Sequence, residues 1–112
     1  MNQTLKTELK LFLAEALIQV LGWRKEAFVF GLLKLDTRQR HIIRERRKMT
    51  ADLWRRVIRQ WPYCLKCGSI ESLQADHVVS LYHRGKTEWS NLQTLCGRCN
   101  RQKGIKTADY RR

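Results

Sequence analysis

Four cysteines set the first constraint on chemistry. Cys64 and Cys67 form one Cys-x2-Cys pair and Cys96 and Cys99 a second, with 28 residues between the pairs. Two-residue spacing lets both thiolates of a turn point at one ion while backbone N–H groups face the sulfurs. Two such turns complete a tetrahedral shell, which predicts structural zinc. Two disulfides are the alternative, disfavoured in a reducing compartment and with no secretion signal in the sequence. Gly68 and Gly97 stand beside the turns, where a residue without Cβ is expected. A four-thiolate shell has no open position, so this zinc should hold the fold and do no chemistry. Any catalysis must come from other side chains.

The spacer between the pairs contains Ala75-Asp76-His77-Val78-Val79. Then follows Asn91-Leu92-Gln93-Thr94-Leu95-Cys96-Gly97-Arg98-Cys99-Asn100-Arg101-Gln102-Lys103-Gly104. From residue 62 to 106 this order resembles the HNH endonuclease family, in the variant with asparagine at the third motif position, here Asn100. The resemblance implies a ββα-metal core, two strands and a helix around one catalytic divalent cation. It also implies hydrolysis of phosphodiester bonds in DNA, one strand per active site, leaving 5′-phosphate and 3′-hydroxyl ends.

The residue types suit that chemistry. Hydrolysis needs a base for water, a cation for the charge that develops on phosphate, and a frame that fixes both. His77 is the expected general base. Asp76 and Asn100 offer hard oxygen ligands for Mg2+ or Mn2+. Asn91, by resemblance, orients the strand that bears His77. Adjacent residues on a strand face opposite ways, so the hypothesis requires a bulge or a strand end at Asp76-His77. Arg101 and Lys103 are expected to clamp phosphate, and Trp89 and Leu92 to form core under the hairpin. Two departures fall in the loop: Ser80 stands where the family usually has proline, and Arg84 where it has the first of two glycines, leaving Gly85.

These residues need elements to position them. Leu5, Leu9, Phe12, Leu13, Ala16, Leu17, Val20 and Leu21 recur at helical spacing, with Gly22 as a stop, and Ala27 to Leu35 reads as a second helix. The stretch from Thr37 to Met49 is read for its charge. Thr50 and Asp52 mark the start of a helix carrying Leu53, Trp54, Val57, Ile58 and Trp61, which ends before Pro62. Beyond it the order is cysteine turn, hairpin, cysteine turn, short helix. The fold class is therefore α+β, with a basic helical region over 1–61 and a zinc-stapled core over 62–112.

The 112-residue chain has 23 Lys and Arg against 10 Asp and Glu, a net charge of +13. Such self-repulsion points to an anionic partner whose counterions are released on binding, and DNA is the leading candidate. Between positions 38 and 59, nine basic residues face only Glu45 and Asp52. Arg44, Arg47, Arg55, Arg56 and Arg59 there, with Arg84 in the loop, are expected to contact phosphates and add affinity with little base readout. The rival role for helix 5–21 is pairing with a second copy. The longest apolar run is too short and too interrupted to cross a bilayer. A soluble, cytoplasmic, unprocessed protein is expected. The competing functions are a non-catalytic zinc-ribbon module on DNA and a nuclease acting on RNA.

Overall fold

The computed structural model describes residues 3–111, and the chain divides into two compact units, Met1–Arg44 and Glu45–Arg112. It is α+β, with helices first and a small ββα region after them.

In the first unit α1 spans Gln3–Leu21 and buries Leu11, Ala14 and Ile18, spaced three and four residues apart. Gly22 ends it with φ 93° and donates its N–H to the Ile18 carbonyl at 2.7 Å. A 3₁₀ turn, Trp23–Lys25, leads into α2, Glu26–Leu32, which buries Val29 and Phe30. This second helix stops short of the expected Leu35, and Lys34 adopts a left-handed φ of 53° just past it. The basic stretch then proves to be a helix, α3, Thr37–Arg47. Asp36 and Gln39 start it reciprocally. The Gln39 N–H donates to Asp36 Oδ1 at 2.8 Å, and the Asp36 N–H to Gln39 Oε1 at 3.0 Å.

In the second unit α4 spans Ala51–Gln60, and Thr50 Oγ1 accepts the Leu53 N–H at 3.2 Å, the cap the sequence predicts. Strands β1, Leu73–His77, and β2, Leu92–Cys96, pair antiparallel from Leu73 opposite Cys96 to His77 opposite Leu92. α5, Gly97–Lys103, follows β2 without a break. Both α4 and α5 pack on the hairpin. Ala75 and Leu92 bury against Val57 of α4, within a ring of Met49, Leu53 and Trp61. Gln74 and Asp76 bond instead to residues of α5. Since alternate strand residues face opposite ways, the two helices lie on opposite faces of the hairpin. Among the described residues no helix is long and apolar enough to cross a membrane.

Candidate metal and nuclease site

The hairpin brings the two cysteine turns together. Sγ atoms of Cys64, Cys67, Cys96 and Cys99 all lie within 4.8 Å of one another, and those of Cys67 and Cys96 are 3.7 Å apart. Sulfurs at the corners of a tetrahedron about 2.3 Å from zinc would be roughly 3.8 Å apart, so the cluster fits the ion. Each turn also aims an N–H at sulfur: Cys67 N to Cys64 Sγ and Cys99 N to Cys96 Sγ, both 3.5 Å. Burial pushes the Cys64 thiol up, but N–H groups of Cys67, Cys96 and Lys66 outweigh it and bring it down to about 6. Burial and the neighbouring cysteines push Cys99 up to about 12. Four sulfurs this close cannot all carry charge without a cation among them. The two glycines differ. Gly68 takes φ 81°, as a tight turn needs, whereas Gly97 has no positive φ and begins α5.

β1 ends at His77, and both Asp76 and His77 are paired in the ladder, opposite Gln93 and Leu92. Asp76 is buried, and its Oδ2 accepts from Gln93 Nε2 at 2.9 Å and lies 3.3 Å from Lys103 Nζ. Gln93, opposite Asp76 in the ladder, is wholly buried. It also donates to the Ala108 carbonyl and accepts the Tyr110 N–H, so one amide holds both Asp76 and the returning C-terminal segment. Oδ1 of Asp76 makes no hydrogen bond among the described residues, and no buried side-chain oxygen or nitrogen there lacks a partner, so Oδ1 faces solvent. Asn100, one turn before Lys103, donates from Nδ2 to Gln74 Oε1 at 2.7 Å, which leaves its own Oδ1 as the outward acceptor. α5 thus meets β1 at two points, Asn100 on Gln74 and Lys103 on Asp76.

His77 Nε2 lies 2.8 Å from Thr87 Oγ1, and by the same reasoning Nδ1 is the open nitrogen. Burial holds the imidazole below its ordinary value; Asp76 opposes this and Lys103 adds to it. The loop that returns from His77 to β2 is tightly closed. Asn91 Oδ1 accepts the Val79 N–H at 2.9 Å, while Nδ2 donates to the carbonyls of Val79 and Lys86 at 3.0 and 2.8 Å. Asn91 therefore staples the strand end to the loop. Ser80, in the proline's place, caps a 3₁₀ turn at Leu81–His83 with its hydroxyl. Arg84, in the glycine's place, accepts the left-handed φ of 69° that glycine would adopt without strain. Gly85 allows no side chain, because a Cβ there would run into the Val79 carbonyl.

The basic residues are placed differently from one another. Arg101, Arg84, Arg47 and Arg59 are exposed. Arg55 is paired with exposed Asp52 at 2.9 Å. Arg56 lies 5.1 Å from the ring of Trp89, which stacks on Trp61 with centroids 5.8 Å apart; Trp89 is 39% exposed, an outer stack where core was expected. In the first unit Arg44 bonds Glu26 at 2.8 Å and lies over Phe30. Lys103, expected as a phosphate clamp, is buried, with Nζ 2.8 Å from the His77 carbonyl. Its charge is held inside the protein, bracing both Asp76 and His77. Sequence reasoning missed this, and also Gln93, Thr87 and Glu45. Gln93 alone had a signal, its place in Asn-Leu-Gln-x-Leu.

Residues 62–106 match the HNH endonuclease family, in agreement with the resemblance read from the motifs, and point to a nuclease or nucleic-acid-binding function. The match covers about two fifths of the chain and takes in the four cysteines, Asp76, His77, Asn91 and Asn100. Neither a curated protein nor a solved structure matches the chain.

Proposed function

We propose that the protein is a metal-dependent DNA endonuclease that hydrolyses phosphodiester bonds, one strand per active site, leaving 5′-phosphate and 3′-hydroxyl ends. The observation that carries the reading is the pairing of held and open atoms at the end of β1. Asp76 is fixed through Oδ2 and His77 through Nε2, while Oδ1 and Nδ1 face outward. His77 takes the proton of the attacking water at Nδ1. Asp76 and Asn100 are the residues that would hold Mg2+ or Mn2+ through oxygen, and a cation there supplies neutralisation of charge developing on the phosphate. Asn91 keeps the loop closed so that the base stays in place, and zinc on Cys64, Cys67, Cys96 and Cys99 holds β2 and α5 in register with the first cysteine turn.

Arg101, Arg84, Arg47, Arg55, Arg56, Arg59 and Arg44 serve as phosphate contacts, and Lys103 serves the interior instead. The sheer excess of positive charge favours nucleic acid as partner. A second copy is the fitting partner for α1, whose exposed Leu9, Phe12, Leu13 and Val20 form an apolar side. α1 balances Lys6 and Lys10 against Glu8 and Glu15, so the helix carries no net charge in a chain of +13. Such an enzyme works in the cytoplasm, where its cysteine pairs stay reduced for zinc.

The test is to offer DNA and RNA of one sequence to the purified protein with Mg2+, Mn2+ or EDTA. The reading expects cation-dependent cleavage of DNA. RNA cleavage alone would make it an RNA enzyme, and binding without cleavage under any cation would make it a zinc-bearing DNA-binding module.

A further inference from the structure

His77 is reached from outside the matched segment. Its Nε2 lies 2.8 Å from the hydroxyl of Thr87, a residue buried in the loop between the strands. The backbone N–H of Thr87 donates in turn to Glu45 Oε1 at 2.7 Å, a hydrogen bond spanning 42 residues. Glu45 is itself buried, and its other oxygen lies 2.6 Å from Lys48 Nζ. The order is therefore Lys48, Glu45, Thr87, His77, with Glu45 on α3 and the imidazole at the end of β1.

Each link has a physical function. An ionised carboxylate accepting a buried backbone N–H makes a charge-assisted bond, which fixes where the Thr87 hydroxyl can sit. A hydroxyl can donate or accept, so alone it would not choose a tautomer for its histidine. The Glu45 carboxylate, bonded to the Thr87 backbone N–H and not to its hydroxyl, biases that choice through its charge. Negative charge on the Thr87 side favours the proton on the nearer nitrogen, Nε2, with the Thr87 oxygen accepting. Nδ1 is then the unprotonated nitrogen, and it is the one that faces solvent.

We propose that Thr87, seated by Glu45, is the positioning residue for His77: it fixes the ring and its Nε2–H tautomer so that Nδ1 is presented as the base. This rests on the nuclease reading for its kinetic consequence but not for its structural content. Glu45 lies outside residues 62–106, and its bond to Thr87 ties that segment to α3. For metal-ligating histidines an outer hydrogen-bond partner is worth about 10- to 100-fold in affinity or activity, and an effect of that order is expected at His77.

The experiment uses the full zinc-loaded chain and compares Thr87→Val, which keeps the shape and removes the hydroxyl, with Thr87→Ser and Glu45→Gln. Two readouts are taken: kcat and KM for nicking of supercoiled plasmid, and the tautomer of the 15N-labelled His77 ring from long-range 1H–15N correlation spectra. Expected are a single Nε2–H tautomer in the parent, a mixture of tautomers in Thr87→Val with kcat down roughly tenfold or more and KM unchanged, and recovery of both in Thr87→Ser. Glu45→Gln should shift the tautomer ratio in the same direction by less. A Thr87→Val protein with parental tautomer overturns the proposal whatever its kcat, and so does an altered tautomer with parental kcat in an active enzyme. If the parent cuts nothing under any cation, the nuclease reading fails, and the spectra alone then decide whether Thr87 positions His77.

Discussion

The two compact units differ in what they bury. Among the described side chains of the first unit Gln39 is the one buried polar group, used to start a helix, while Leu9, Phe12, Leu13, Val20, Trp23, Phe28 and Leu32 remain exposed. In 45–111 the order is reversed: Glu45, Asp76, Ser80, Thr87, Gln93, Thr94 and Lys103 are all buried. Burying a polar atom costs free energy unless it finds a partner, and among the described residues every buried side-chain oxygen or nitrogen has one. The second unit therefore gives up apolar core to fix polar atoms in space, and a zinc ion on its four clustered cysteines would compensate for the core it lacks. The first unit has no such polar frame. Its unburied apolar side is what a surface awaiting a partner looks like.

Chelation should widen that contrast most. Because the metal's binding free energy, of order 10 kcal/mol, is folding free energy, removing zinc should unfold 45–111 and leave α1 and α2 standing. Hydrogen exchange read by segment would show amides of β1, β2 and α5 losing protection while those of α1 keep theirs. Uniform loss would mean that the contrast between the units is false.

Next in size is Lys103→Met. It leaves Asp76 with Gln93 alone and the His77 carbonyl without its donor, so a loss of about 3–5 kcal/mol in denaturant unfolding is expected. A change below 1 kcal/mol would place that ammonium outside the frame. Replacing Thr50 or Asp36 by Ala removes one helix cap from each unit and should cost about 1 kcal/mol in either, since capping does not depend on which kind of core lies beyond it. Unequal costs would show that the caps too are coupled to the polar frame.

The smallest effect is at the C-terminal segment. Asp109 is held down to about 2 by hydrogen bonds from Arg111, so its contribution is present above the ordinary carboxylate value of 3.8 and lost as pH falls through 2. Exposure and screening limit it to less than about 1 kcal/mol. Asp109→Asn should remove that part of the acid dependence from the melting temperature and leave the neutral-pH fold intact.

Much of this was legible in the chain. Spacing alone identified the four-cysteine cluster, because two Cys-x2-Cys turns need only a hairpin to meet. Thr50 and Pro62 bounded α4 by local chemistry, and Gly22 ended α1 in the same way. The motif that carries Asp76, His77, Asn91 and Asn100 was recognisable as a unit. Lys103 was not, because whether a lysine four residues after a cysteine turn faces solvent or interior depends on which face of α5 meets β1. Thr87 and Glu45 were hidden for a related reason: their bond spans 42 residues and nothing local records it. Asp36 and Gln39 have the spacing of a capping box, overlooked inside a run dominated by charge.

The central claim is that a proton is taken at His77. The most direct measurement is nicking of supercoiled plasmid by the parent and by His77→Ala, with Mg2+, Mn2+ and EDTA in turn and DNA binding followed on the same samples. The account predicts open-circular product with a cation and none with EDTA. His77→Ala should bind as before and cut about 10²- to 10⁴-fold more slowly. Cutting by His77→Ala at the parental rate, or plasmid bound by the parent and never cut, would contradict it.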